Sequence, residues 1–299
     1  MDTREKPLAP YLALIPAQFF FGSLPVIGKV VLPVVPALAV VGIRVAITAL
    51  ILFVVQAIRG RLWLKRSGDY WRLAVLSMFG VVINQTLFIK GLSLTKASNT
   101  SLLAVTIPIF ALTIGSLAGY EKLKVIKIIG IVLAALGVIF LIDPRNASFS
   151  SETTVGDILI IGNSLAYGIY VATSKDVITR NGTFRSMMWV FIFASAICFP
   201  LGLASLSTID IGAVSALIWL LVVYIGIFAT AAPYLLNAYA LARVNPSTVA
   251  VFVYLQPLIG FLLAVFFLGE SIDFKFIVAA LLIFAGVFMV TKRYVPAET

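Results

Sequence analysis

The sequence predicts an all-α polytopic membrane protein of ten transmembrane helices, arranged as two inverted five-helix repeats. Three observations predict it: the composition, the spacing of the apolar runs, and the recurrence of particular residues between the two halves of the chain. Of 299 residues, 62% are apolar and 11% are charged, whereas an ordinary soluble domain carries roughly 25% charged residues. A surface that poor in charge does not stay dispersed in water. Its solvent is lipid.

Each helix follows from an apolar run close to the ~20 residues that cross a bilayer core. The first covers 8–30; it is longer than the apolar region of a signal peptide and lacks a cleavage site, so it reads as a membrane helix. The second and third cover 35–58 and 72–92, separated by a basic connection. Runs at 97–119 and 124–142 complete the first half. Residues 143–156 form the longest polar connection, with Pro, Asn and Ser but too few residues for a domain, and they divide the chain into 1–149 and 150–299. The second half follows with runs at 156–174, 187–206, 214–236, 246–268 and 274–292.

Charge sets the orientation. Ten crossings put both termini on one side, and that side carries sixteen Lys and Arg residues: Arg4, Lys6, Arg59, Arg61, Lys65, Arg66, Arg72, Lys122, Lys124, Lys127, Lys175, Arg180, Arg185, Arg243, Lys292 and Arg293. The opposite side carries Lys29, Lys90, Lys96, Arg145 and Lys275, and Arg44 lies within a helix. The positive-inside bias therefore predicts cytoplasmic termini in a bacterial inner membrane. The same distribution accounts for the net charge of +10 without nucleic acid, because the basic residues form no stripe. With no His and a single cysteine, Cys198, inside an apolar run, neither a disulfide framework nor a Cys/His metal site can be assembled, so no metal or cofactor is expected.

Five helices per half force the second half to enter the membrane from the opposite side, so likeness between halves means an inverted repeat. Phe21-Gly22 and Lys29 match Tyr167-Gly168 and Lys175 at an offset of 146, as Gly80 matches Gly226. Ser98, Pro108, Glu121 and Gly137-Val138 match Ser247, Pro257, Glu270 and Gly286-Val287 at an offset of 149. A short insertion near 237–243 reconciles the two registers.

The candidate solute contacts sit on these repeated faces. Gln18, Phe21, Gly22, Pro25 and Lys29 recur at helical spacing on the first helix, and their partners are Ser164, Tyr167, Gly168, Val171 and Lys175. For Gln18 and Tyr167, solute contact and helix packing are both open readings; for Gly22 and Gly168, packing is favoured. Asn84 and Phe88 on the third helix and Tyr234 and Asn237 on the eighth extend the theme, since amides are costly against lipid tails and must face a cavity or a neighbour. Tyr254 and Gln256 add polar groups beside Pro257. The prolines, Pro108 and Pro257 among them, bend helices where neighbours or a watery cavity can compensate. Arg44 is the most deeply placed charge. It either attracts a carboxylate or ties helix carbonyls together, and the second role is favoured. Lys90 lies near enough to a helix end to snorkel.

Phe21-Gly22-Ser23, the Pro36 to Arg44 spacing, Gly91-Leu92 through Ser98, Pro108, Glu121, Gly130 and Gly137 resemble the patterns of the drug/metabolite transporter superfamily, in its ten-helix EamA-like branch. The resemblance covers essentially the whole chain; Phe21 stands where the family usually has Trp. More narrowly, the chain is similar to bacterial aromatic amino-acid exporters of the YddG type. The resemblance implies a central cavity lined by helices 1, 3, 4, 6, 8 and 9 and worked by alternating access.

Function follows from what the membrane region contains and lacks. No H-E-x-x-H, G-x-S-x-G or phosphate-loop motif is present, and no paired intramembrane carboxylates, so an enzyme is not expected. All twelve Asp and Glu residues map to loops, termini or helix ends, which leaves no proton relay. A phosphorylated cargo would require several basic groups at the site. Apolar, aromatic and amide groups suit a neutral or zwitterionic solute with an apolar part. The expected partners are thus a small molecule, an amino acid or a similar metabolite, and the bilayer itself, with a single copy sufficing. A broad drug or metabolite efflux carrier, possibly exchanging solutes as an antiporter, is the alternative, and a channel the weaker one.

Overall fold

The computed structural model describes residues 8–142, 145, 153–268 and 274–291. Ten apolar helices run through it: α1 (Ala9–Val31), α2 (Ala37–Ile58), α3 (Gly68–Leu94), α4 (Asn99–Leu117), α5 (Val125–Ile142), α6 (Thr154–Thr173), α7 (Thr183–Leu206), α8 (Ala216–Leu241), α9 (246–268) and α10 (Phe274–Thr291). A short helix, Lys175–Asn181, joins α6 to α7. Long apolar side chains face outward along their whole length, for instance Val26, Leu50, Val132 and Phe288. Such a surface is stable only against hydrocarbon. The fold is that of a polytopic membrane protein, as the apolar runs predict. Glu270 and the basic residues Arg4, Lys6, Lys292 and Arg293 lie outside the described residues.

Packing follows a regular scheme. Extensive contacts pair α2 with α7, α5 with α10, α3 and α4 with α6, α1 with α8 and α9, α3 with α7 and α2 with α8. Exchanging each helix for the one five places along returns the same set of pairs. Glycines bring the outer pairs together. A Cβ on Gly42 would lie 2.7 Å from the carbonyl of Cys198 and 2.9 Å from the Cα of Gly202, and one on Gly130 would lie 2.8 Å from the carbonyl of Gly286. In lipid, where no hydrophobic drive pushes helices together, this backbone approach supplies the packing attraction.

Four helices depart from α-geometry in their middles. α3 passes through a π-helical stretch at Met78–Ile83, and α8 through another at Ile227–Ala231. α4 breaks at Ala104–Val105, and α9 tightens into a 3₁₀ turn at Phe252–Tyr254. The last two are the work of Pro108 and Pro257, each of which lacks the N–H that would bond the carbonyl four residues back. Sequence pattern announces the proline breaks but not the π stretches.

The distortions also correct the register between halves. The π stretches begin at Met78 and Ile227, and the residues preceding the next helices are Lys96 and Asn245. Both pairs are 149 apart, the offset that also relates Ser98 to Ser247, whereas Gly80 and Gly226 are 146 apart. In this register Gln85, not Phe88, corresponds to Tyr234.

Because a Cβ on Gly286 would overlap the carbonyl of Gly130 and the side chain of Ala134, Gly286→Leu is expected to separate α5 from α10. The cost is about 1–3 kcal/mol, as for an overpacked core. A melting curve of the purified protein in detergent checks this: the variant should melt several degrees lower than the wild type, whereas equal melting would show the seam to be loose.

Candidate functional site

Where the four distorted helices meet α1 and α6, a cavity opens in the middle of the bundle. Its empty space, counted out to where it opens to solvent, is about 570 Å³. Phe21 and Leu24 come from α1, Asn84, Gln85 and Phe88 from α3, Ala104 and Ile107 from α4, Ile160, Asn163 and Tyr167 from α6, Tyr234 from α8, and Val253 and Gln256 from α9. No charged side chain is among them. Each distorted helix contributes residues at or just beyond its distortion. Irregular backbone at membrane depth is stable only where protein or a cavity compensates it.

The polar wall is built from paired groups. The Tyr234 hydroxyl accepts from Gln85 Nε2 at 2.6 Å and has two acceptors for its one proton, Gly80 O at 2.7 Å and Asn84 Oδ1 at 3.0 Å. Gly80 belongs to the π stretch of α3, and any larger residue would overlap the Tyr170 ring. Asn163 Nδ2 donates to Asn84 O at 2.9 Å, and Asn84 Nδ2 donates in return to Asn163 O at 3.4 Å. This couples α3 to α6. Around the amides stand aromatic rings: Phe21 and Phe191 each meet Tyr234 edge-on, with centroids 5.7 and 5.1 Å apart.

Six of the ten expected contacts line the cavity: Phe21, Asn84, Phe88, Tyr167, Tyr234 and Gln256. Four stand behind the wall. Ser164 is fully buried and returns its hydroxyl to Ile160 O in its own helix at 3.0 Å. Gln18 is fully buried and accepts from Gln256 Nε2 at 2.8 Å, and Asn237 donates to the Tyr167 hydroxyl at 3.4 Å. Tyr254 borders a smaller void between α4 and α9, with Pro257 and Gln256, and donates to Val105 O at 2.8 Å. Gln85 and Asn163 are wall residues that pattern reading missed. The signal available for Gln85 was its correspondence with Tyr234 in the corrected register.

Gly22 and Gly168 differ. A Cβ on Gly22 would make ordinary contact with the Gln256 backbone at 3.5 Å, whereas one on Gly168 would press on Phe110 Cβ at 2.7 Å. Pro108 is buried in α4. Arg44, with no exposed surface, donates from Nε to Thr230 Oγ1 at 2.7 Å and from Nη2 to Ala229 O at 3.0 Å. It therefore satisfies a carbonyl of the π stretch in α8, helped by Thr48, which donates to Gly226 O at 3.0 Å. That is the carbonyl-tying role.

Ion pairs and caps hold the two ends. Lys29 Nζ donates to Leu92 O at 2.7 Å and Thr95 O at 2.6 Å, closing the end of α3, and Lys175 Nζ donates to Val244 O at 2.8 Å just past the end of α8. Burial pulls the Lys175 ammonium below the usual amine range. Asp69 grips Arg180 through two bonds, at 2.5 and 2.9 Å, and accepts from Asn181 at 2.7 Å; the carboxylate bond holds the Arg180 guanidinium above its ordinary range. Glu121 pairs with Lys127 and accepts from Ser247 N at 3.1 Å, joining the α4–α5 connection to the first turn of α9. At the other end Asp157 accepts from Thr95 Oγ1 at 2.6 Å and Asn99 Nδ2 at 3.0 Å. Lys90 is exposed, as a snorkelling residue is.

Membrane-crossing helices interrupted around a central cavity are the architecture of a polytopic membrane transporter. The chain belongs to the EamA-like transporter family, whose model matches residues 8–143 and 154–292. An uncharacterized transporter of Archaeoglobus fulgidus is 27% identical over 235 residues, covering 77% of this chain and 79% of the relative. The uncharacterized transporter YetK of Bacillus subtilis is 23% identical over 98% of this chain and 90% of its own length, and one from Vibrio cholerae is 28% identical over 92% and 91%. A solved crystal structure superimposes with a TM-score of 0.76 over 94% of this chain and 96% of that one, at 17% identity. That likeness is one of fold.

Asn84→Ala removes a wall amide, its bond to the Asn163 carbonyl and one of the two acceptors of the Tyr234 hydroxyl, so transport should fall about tenfold or more while membrane insertion persists, the lost bonds being worth about 1–3 kcal/mol. Ser164→Ala, whose hydroxyl serves only its own helix, should transport like the wild type. Initial-rate flux normalised to inserted protein measures both.

Proposed function

We propose that this membrane transporter carries small amphipathic solutes, above all amino acids with aromatic or apolar side chains, out of the cell by alternating access. The observation that carries the reading is the cavity wall: amide and phenolic groups interleaved with Phe21, Phe88 and aliphatic side chains, with no charge in contact. Such a wall hydrogen-bonds the polar end of a zwitterion and shelters its side chain. Export of aromatic amino acids in the manner of YddG-type proteins is the specific form of this reading.

The two halves are read as inverted repeats. Support comes from the exchange of helix pairs under a five-place shift, the paired distortions, and the division of the family match at the connection between α5 and α6. Rocking of one half against the other around the fixed cavity then opens it alternately to each side. Both termini are placed in the cytoplasm of a bacterial inner membrane, and one copy suffices.

Energy comes from the solute's own gradient. Asp69, Glu121 and Asp157 are engaged at helix ends, and among the described residues no carboxylate lines the cavity to carry a proton beside the solute. No cofactor is required. Purified protein in liposomes, offered aromatic, aliphatic and charged amino acids and a set of neutral drugs, tests the reading. Saturable efflux of aromatic or aliphatic amino acids without an imposed pH gradient is the expected result. A requirement for that gradient would remove the facilitator mechanism, preference for the drugs would favour the broad efflux alternative, and flux that never saturates would indicate a channel.

A further inference from the structure

Arg44 is a buried cation that no carboxylate neutralises among the described residues. Its side chain has no exposed surface; its two hydrogen bonds go to a hydroxyl and a carbonyl of α8, and its Nη1 has no partner. The acidic residues at the ends of the bundle are engaged elsewhere: Asp69 with Arg180, Glu121 with Lys127, and Asp157 with Thr95 and Asn99. Among the described residues, the middle of the protein therefore holds an unscreened positive charge at Arg44. Thr230, which Arg44 touches, lies one helical turn before Tyr234 in the cavity wall, and Tyr234 is held by Gln85 at 2.6 Å.

We infer that Arg44 sets the charge preference of the cavity without touching the solute, so that a carboxylate is drawn to the Tyr234 side and cations are rejected. The wall there is equipped to receive it. Gln85 Nε2 uses one N–H on Tyr234 and Asn84 Nδ2 one on the Asn163 carbonyl. An amide nitrogen carries two, so each has another to give to a carboxylate oxygen. Arg44 is thus a positioning and selectivity residue acting through the field, beyond its tie to the π stretch. A helical turn of about 5.4 Å plus the Arg44–Thr230 contact sets it roughly 10 Å from the wall, where one unit charge at an effective dielectric of about 20 changes occupancy by about tenfold.

The inference rests on the cavity being the solute site, and the test separates the two. Competition against radiolabelled phenylalanine flux in liposomes uses three compounds with one side chain: phenylalanine, phenylalaninamide and 3-phenylpropionate. Phenylalanine and the acid should compete, and the amide should be at least about tenfold weaker. Arg44→Lys should keep that ratio because it keeps the charge, and Arg44→Gln should narrow it to under about threefold. An amide that competes as well as the acid overturns the inference while leaving the carrier reading intact, and so does loss of the ratio in Arg44→Lys. If Arg44→Gln does not insert, the wild-type and Arg44→Lys ratios decide. Phenylalanine flux abolished by Asn84→Ala with saturation intact in the wild type upholds the cavity as the site; a wild type that saturates with none of the solute panel overturns the carrier reading and this inference together.

Discussion

Within hydrocarbon, no water is available to a peptide group that loses its helical partner, and each such group costs several kcal/mol. Everything in the interior of this protein is arranged around that constraint. A cavity needs helices that part from one another, and helices part here by breaking their own ladders. The π stretch of α8 is met from α2 by Arg44 and Thr48, that of α3 by the Tyr234 hydroxyl, and the break in α4 by Tyr254. Of these groups Tyr234 also lines the cavity, and it serves both purposes with a single oxygen.

The closure of the two ends contrasts with the middle. Charges are concentrated at the ends, where Asp69–Arg180 ties the α6–α7 connection to the start of α3 and Glu121, paired with Lys127, reaches Ser247 at the start of α9, and the cavity wall is left with amides and rings. Buried ion pairs contribute little net stability, but breaking one leaves an unpaired charge. On the alternating-access reading proposed above, such pairs suit a surface that must either meet fully or separate into water. Lys29 and Lys175 act differently: each bonds carbonyls at the end of a helix in its own half of the chain, α3 and α8.

Much of this architecture is legible in the sequence because the bilayer imposes a length on every apolar run. The start of α3 was less legible. Asp69 and Arg72 polarise its first turn, and the apolar run begins only at 72, whereas the helix begins at Gly68. Prolines 108 and 257 announce the breaks they cause. The π stretches have no such signature, because an extra residue in a turn changes no composition. That silence had a further effect: matching Gly80 with Gly226 placed Phe88 opposite Tyr234 and hid Gln85, which in the corrected register is bonded to its own counterpart. Ser164 was misplaced for a different reason. A hydroxyl in a membrane helix has the local carbonyl of the preceding turn as a ready partner, and pattern alone cannot say which it takes.

The α5–α10 seam bears on how the protein is made. α5 emerges from the ribosome long before α10, yet the glycine face at Gly130 and Gly137 packs against α10 around Ile283 and Gly286. During synthesis that face has only lipid to cover it. The nascent chain therefore passes through a stage in which eight or nine helices are inserted and the seam is open, and this is the interval in which a membrane chaperone or a wrong neighbour has its chance. Completion of the carboxyl-terminal helix is the event that ends it.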